Sequence, residues 1–354
     1  MSAGSPLAVV IIAAGQGTRM RSSLAKVLHP LAGRPLIGHV LALAHALAPQ
    51  ALLVVVGHQA EAVRAVCEPY GATCVRQEPQ LGTGHAVAQT APWLGDFTGD
   101  VLILYGDVPL LCPATARRLW DEHRRQQAAV TVLTARLPDP TGYGRIVRDS
   151  YGHLLRIVEE RDATATERAG HEINSGIYCV QASFLFAALQ RIGRANAQGE
   201  QYLTDIVAVA VAAQQVVASV TISEATEVLG VNTRVDLAHL EAIVRRQTCE
   251  ALMLEGVTIL DPVTTVIDSQ VTIGRDSVIA PGTHLLGATR LGHNCRVGPH
   301  VVIQDSMLGD EVCVRPFAVI ERTTVPAGST IAPFTHLTSL ESSGKNTVCR
   351  FKGT

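Results

Sequence analysis

The chain has 354 residues, 47% of them hydrophobic and 17% charged, with a formal net charge of −2. That length suits two domains better than one core, and the near-neutral balance excludes the basic footprint of a nucleic-acid or anionic-membrane binder. No uninterrupted apolar run approaches the roughly 18 residues of a membrane span, and the opening MSAGSPLAVV lacks a secretion signal's charged-then-apolar pattern, so a cytoplasmic protein is expected.

The first apolar run, VVIIAAGQGTRM (9–20), is rich in β-branched residues and too short for most helices. It predicts a buried parallel strand ending in a glycine turn. Gly15 and Gly17 let the backbone turn and approach a ligand. Arg19 and Lys26 follow as cations, which together make a phosphate cradle. The pattern is neither G-x-G-x-x-G, because Met20 fills the last position, nor a Walker loop. A ligand-free strand-to-helix turn is therefore the competing reading.

Strand-like and helix-like runs then alternate to about residue 230. ALLVVVGH (51–58), DVLILYGD (100–107) and AAVTVLTA (128–135) predict strands, and LIGHVLALAHAL (36–47), GHAVAQTAPWL (84–94) and TARRLWDEHRRQ (115–126) predict helices. This alternation predicts an α/β, Rossmann-like domain over residues 1–232, with a mostly parallel sheet covered on both faces. Ligands of such sheets bind beyond the carboxyl ends of the strands. Both the glycine turn and YGDVPL (105–110) fall there.

Residues 233–255 contain neither glycine nor proline, and Leu237, Leu240, Ile243 and Val244 recur at helical spacing. One long connecting helix is expected over 233–256. Beyond it, Ile273, Ile279, Leu285, Leu291, Val297 and Ile303 stand six residues apart, and the series resumes after short steps at Leu308, Val314 and Ile320 and at Val325, Ile331 and Leu337. A hexapeptide repeat of this kind predicts a parallel β-helix over 257–354, with one aliphatic side chain per short strand in a triangular core. The eight cysteines (67, 74, 112, 179, 249, 295, 313 and 349) contain no C-x-x-C pair. Free thiols are expected, not a disulfide or zinc framework.

Eight segments in order resemble the bacterial bifunctional N-acetylglucosamine-1-phosphate uridylyltransferase/glucosamine-1-phosphate acetyltransferase family. They are AAGQGTRM (13–20), AKVLHPLAG (25–33), LGTGHA (81–86), YGDVPL, TGYGRI (141–146), EINSGIY (172–178), YLTDI (202–206) and GVNTR (230–234). The resemblance implies a nucleotidyltransferase domain followed by a left-handed β-helix, and attack of a sugar-1-phosphate oxygen on the α-phosphorus of UTP. The attacking phosphate is already ionised, so the reaction needs charge neutralisation and alignment, not a protein nucleophile. By this resemblance Ala13, Ala14, Gly15 and Gly17 would meet the nucleotide, Arg19 the β,γ-phosphates, and Lys26 the α-phosphate and incoming sugar phosphate. Asp107 and Asn232 would hold Mg²⁺, whose preference is for oxygen ligands. Gln77, Gly82 and Thr83 would read uracil, and Tyr105, Gly144, Glu159 and Asn174 would hold the sugar. Taken alone, Asp107 reads equally as a turn aspartate, Asn232 and Gln77 as ordinary polar residues, and Glu159 with Glu160 as a solvated pair.

Two departures stand out. Ala25 precedes Lys26 where the family usually has proline, which would restrict the loop. The stretch THLTSLES (335–342) replaces an arginine-bearing segment of the family's acetyltransferase half, and the later coils do not follow. His336 alone does not restore that site, so no acetyl transfer is expected. The family also implies a homotrimer built through the β-helix. A transferase for another sugar 1-phosphate or for dTTP, a hexapeptide acyltransferase, and a non-catalytic nucleotide-sugar scaffold are the competing functions. Arg19, Lys26, Asp107 and Asn232 together argue against a mere binder.

Overall fold

The computed structural model describes residues 5–339. Cys349, the end of THLTSLES and the remainder of the expected repeat domain, 340–354, lie outside the described residues. The chain packs into two units: one runs through His29 and from Pro35 to Asp236, and the other takes Pro30–Arg34 and the chain from Leu237. The long helix Arg234–Leu254 falls almost wholly in the second unit, and a five-residue segment of the first half joins it.

The first unit is built on nine strands: β1 (Leu7–Ala13), β2 (Ala51–Val56), β3 (Thr73–Arg76), β4 (Asp100–Tyr105), β5 (Val130–Arg136), β6 (Arg145–Arg148), β7 (Leu154–Val158), β8 (Glu172–Gln181) and β9 (Val217–Ile222). Seven run in the order β9-β5-β8-β4-β1-β2-β3. All pair in parallel except β8, which is antiparallel to both β4 and β5. β6 and β7 form an antiparallel pair joined to β8. Every residue of β1 is buried because its side chains feed two cores. Val9 and Ile11 pack on one face of the sheet and Val10 and Ile12 on the other. A strand covered on both faces must read as an unbroken apolar run.

The helix expected over 84–94 forms as two pieces, Thr83–Ala88 and Ala91–Leu94. Pro92 has no N–H to continue an i→i−4 ladder, so the chain restarts there with proline in the first turn.

In the second unit, short strands stack in three parallel sheets. Ile259, Ile279, Val297, Val314 and Ile331 form one aliphatic column. Ile267, Leu285, Ile303, Ile320 and Leu337 form the second, and Ile273, Leu291, Leu308 and Val325 the third. This is the arrangement of a left-handed β-helix of hexapeptide repeats. It begins two strands before the series read from Ile273: Ile267 stands six residues ahead of Ile273, and the step from Ile259 to Ile267 carries two extra residues. The rings of His300, Phe317 and Phe334 stack along one corner, with centroids 5.3 and 5.1 Å apart. The seven described cysteines are free thiols.

Candidate active site

Two short turns place the cations. Beyond β1 the chain reverses through Gly17, whose φ of +63° is left-handed, and a Cβ there would stand 2.6 Å from Lys26 Cβ. The turn needs glycine for both its conformation and its close approach. A single 3₁₀ turn, Thr18–Met20, buries Met20 and leaves Arg19 exposed. A second, Lys26–Leu28, is anchored by buried Val27.

β4 delivers Asp107 to the same place, because Ile12 and Tyr105 are register partners at the ends of adjacent strands. The Val231 N–H donates to the Asp107 carbonyl oxygen at 2.9 Å and so draws Asn232 alongside. Lys26 Nζ is ion-paired with Asp107 Oδ2 and lies 3.3 Å from Asn232 Oδ1. That amide oxygen also accepts from Arg19 Nη2 at 2.9 Å. Asp236 Oδ2 accepts from the N–H groups of Asn232 and Thr233 at 2.9 and 2.8 Å, which fixes the backbone behind it. Arg19, Lys26, Asp107 and Asn232 therefore form one hydrogen-bonded cluster.

Beside this cluster, a hollow of about 210 Å³ opens at the carboxyl ends of the first strands, lined among others by Gln16, His58, Arg76, Gln77 and Gln80. Gln80 Nε2 donates to the Ala14 carbonyl, which ties this wall to the end of β1. Gln77 is buried, and its Nε2 donates to the Gly82 carbonyl at 2.9 Å. Gly82 (φ +110°) approaches Gln201 so closely that a Cβ would lie 2.5 Å from the Gln201 carbonyl oxygen. Gly84 N–H donates to that same oxygen, Gln201 N–H to Leu81 O, and Leu203 N–H to Thr83 Oγ1. Residues 201–203 thus pin the LGTG loop.

Those bonds lead to the third group. Thr204 Oγ1 donates to Glu159 Oε1 at 3.2 Å. Burial pushes the Glu159 carboxyl above its ordinary range, against the pull of the Thr204 hydroxyl, and Asp162, Asp205 and Glu200 add repulsion. Glu160, by contrast, pairs with buried Arg145 at 2.7 Å. Asn174 N–H donates to Gly144 O at 2.8 Å, and Asn174 Oδ1 accepts from Gly176 N–H at 3.0 Å. A register shift in β8 between Asn174 and Tyr178 lets Gly176 lie against the Tyr105 ring. Burial raises the Tyr105 phenol, with Glu159 adding to it, so it stays a neutral donor at physiological pH.

Of the residues singled out from the sequence, Arg19, Lys26, Asp107 and Asn232 are brought into one cluster beyond β1 and β4, while Gln77 is bonded to Gly82 and Asn174 to Gly144. The sequence reading assigned no role to Gln80, Gln201, Leu203 or Thr204, although YLTDI is one of its matching segments. A larger hollow of about 540 Å³ touches Asp96, Phe97, Asp100 and Gln181 at the opposite ends of the strands. Its Asp100 is already engaged by Trp120 Nε1 at 2.9 Å, and ligands of such sheets bind at the other end.

A family model described as a MobA-like NTP transferase domain matches residues 9–173, and one described as bacterial transferase hexapeptide (six repeats) matches 270–305. The chain is 46% identical over 332 residues to the bifunctional protein GlmU of Pelobacter propionicus, covering 94% of this chain and 72% of that one. It is 44% identical over 331 residues to the GlmU of Desulfotalea psychrophila, covering 94% and 98%. Against that of Geobacter metallireducens the identity is 49% over 306 residues, covering 85% and 64%. Fold and site define a nucleotidyltransferase unit joined to a hexapeptide-repeat β-helix. The chain belongs to the GlmU family.

Family membership implies a divalent cation. Among the described residues no group of three or more His, Cys, Asp or Glu makes a self-sufficient cage. One carboxylate and one amide oxygen, both reached by Lys26 Nζ, fit a hard cation that draws its remaining ligands from phosphate and water.

Proposed function

We propose that this chain transfers the uridylyl group of UTP to N-acetylglucosamine 1-phosphate, forming UDP-N-acetylglucosamine and releasing pyrophosphate. The observation that supports this most is the clustering of Arg19, Lys26, Asp107 and Asn232 beyond the ends of β1 and β4. Two anions must meet there, and the site's cations lower their repulsion. Arg19 neutralises charge gathering on the leaving pyrophosphate. Lys26 bridges the α-phosphate and the attacking sugar phosphate, holding them in line. Mg²⁺ held by Asp107 and Asn232 would supply further charge neutralisation on the phosphates. Gln77, Gly82 and Thr83 face the base, while Tyr105, Gly144, Glu159 and Asn174 orient the sugar.

The same reading places the protein in the cytoplasm, where UTP is available, and makes it a trimer through the flat faces of the β-helix. It expects no acetyl transfer, since THLTSLES stands at 335–342 in place of the family's arginine-bearing segment. The test is pyrophosphate release from UTP and Mg²⁺ with N-acetylglucosamine 1-phosphate, glucosamine 1-phosphate or glucose 1-phosphate. Release with the N-acetylated sugar, abolished by Lys26→Ala, supports the reading. Release with glucose 1-phosphate alone overturns the substrate, and none with any sugar overturns the activity.

A further inference from the structure

Lys26 stands on a loop whose backbone is held from an unexpected quarter. Gln59 Oε1 accepts from the Ala25 N–H at 2.8 Å, and Gln59 Nε2 donates to the Ser23 carbonyl at 2.8 Å. One amide therefore grips the main chain on both sides of Leu24, immediately before Lys26. Its base is rigid. Gln59 N-caps the helix Ala60–Cys67, and its carbonyl accepts from Val63 N–H at 3.1 Å.

Gln59 itself sits at a φ of +52°, a left-handed conformation that costs a non-glycine residue about 1–2 kcal/mol. Ala25 is buried at 1% exposure. Without Gln59 its N–H would lose its partner in a place where orphaned donors are costly.

We infer that Gln59 is a positioning residue for Lys26: its amide fixes the 23–25 backbone so that the ammonium arrives at Asp107 and Asn232 already oriented. This rests on the phosphate-bridging role given to Lys26 above. Ala25 has φ −57°, a value that proline adopts naturally. A proline at 25 would supply by covalent restriction what Gln59 supplies by hydrogen bonding, and would remove the N–H that needs an acceptor.

The experiment compares wild type, Gln59→Ala, Ala25→Pro and the double variant in the full chain, measuring kcat and KM for pyrophosphate release. Hydrogen exchange over residues 22–28 is followed in the same proteins. Gln59→Ala is expected to lower kcat about 10-fold, with KM for UTP changed less than about twofold, and to speed exchange in this loop. The double variant should recover kcat to within about threefold of wild type.

Full activity in Gln59→Ala would overturn the inference. So would a loss that Ala25→Pro leaves unrepaired in a protein whose melting temperature matches wild type. If wild type releases no pyrophosphate with any sugar, the proposed function fails, and unchanged loop exchange in Gln59→Ala would overturn the clamp independently.

Discussion

Thr204 reaches Glu159 with a single hydroxyl donor, 3.2 Å from Oε1, and is itself almost fully buried. The pair joins the segment that pins the LGTG loop to the carboxylate proposed to hold the sugar. Thr204→Val keeps the shape and removes the donor. Loss of a hydrogen bond to a charged acceptor costs about 1.5–3 kcal/mol. The expected outcome is a KM for sugar 1-phosphate raised about 10-fold or more, with KM for UTP nearly unchanged. Steady-state kinetics with each substrate varied in turn decides it.

Glu159 makes a pH prediction of unusual sign. Burial raises its carboxyl, so the folded protein holds that proton more tightly than the unfolded chain. Stability from this group is present at acid pH and falls as pH rises above the ordinary carboxylate range, near 4.3. Glu159→Gln should therefore melt a few degrees higher than wild type at pH 7, and the advantage should vanish near pH 4. Its pyrophosphate release should fall at least about 10-fold. A variant that melts lower than wild type at pH 7 would contradict the assignment.

Gly15 and Gly17 separate conformation from access. Gly17→Ala sets a Cβ 2.6 Å from Lys26 Cβ at a left-handed φ, whereas no atom lies within 4 Å of a Cβ on Gly15. Gly17→Ala is expected to lose about 1–3 kcal/mol of stability and most activity. Gly15→Ala should keep its melting temperature and show its defect in UTP binding alone. Thermal melts with and without UTP distinguish the two.

Lys26 currently neutralises the oxygen on which a cation would depend, for its Nζ touches both Asp107 and Asn232. Removing that positive charge should tighten Mn²⁺ binding by the nucleotide-free protein. Lys26→Met is expected to gain about 10-fold in affinity by electron paramagnetic resonance, a modest share of the coulombic interaction at this distance. Adding Asp107→Asn should erase the gain.

Much of the fold was legible because burial imposes period on sequence. The two-sided core of β1 forces an unbroken apolar run, and the triangular β-helix core forces an aliphatic residue every sixth position. The reading slipped where local chemistry interrupts a period. Pro92 divides a helix, and the two additional residues between Ile259 and Ile267 take the first strand out of the period. At the site, Arg19 and Asn232 are 213 residues apart, and no local pattern joins them; resemblance supplied that pairing. Glu159 and Glu160 are likewise told apart only by tertiary contact, since Thr204 engages the first and buried Arg145 takes the second. Thr204 acts through one hydrogen bond to a distant carboxylate and Gln59 through two to distant backbone, and such bonds leave no periodic trace.

In the β-helix, Ile303 and Ile320 are fully buried, while Ile331 and Leu337, in the last described coil, are only partly covered, and Phe334 is 77% exposed. Each coil hydrogen-bonds to the one before and the one after, so strength is passed along neighbours and is not pooled. Ile303→Ala should cost about 2–5 kcal/mol, and Phe334→Ala under about 1.

A column coupled in this way carries a local change only to its neighbours: the amide protection lost on Ile303→Ala should be greatest in the coils of Leu285 and Ile320 and fade with each further coil.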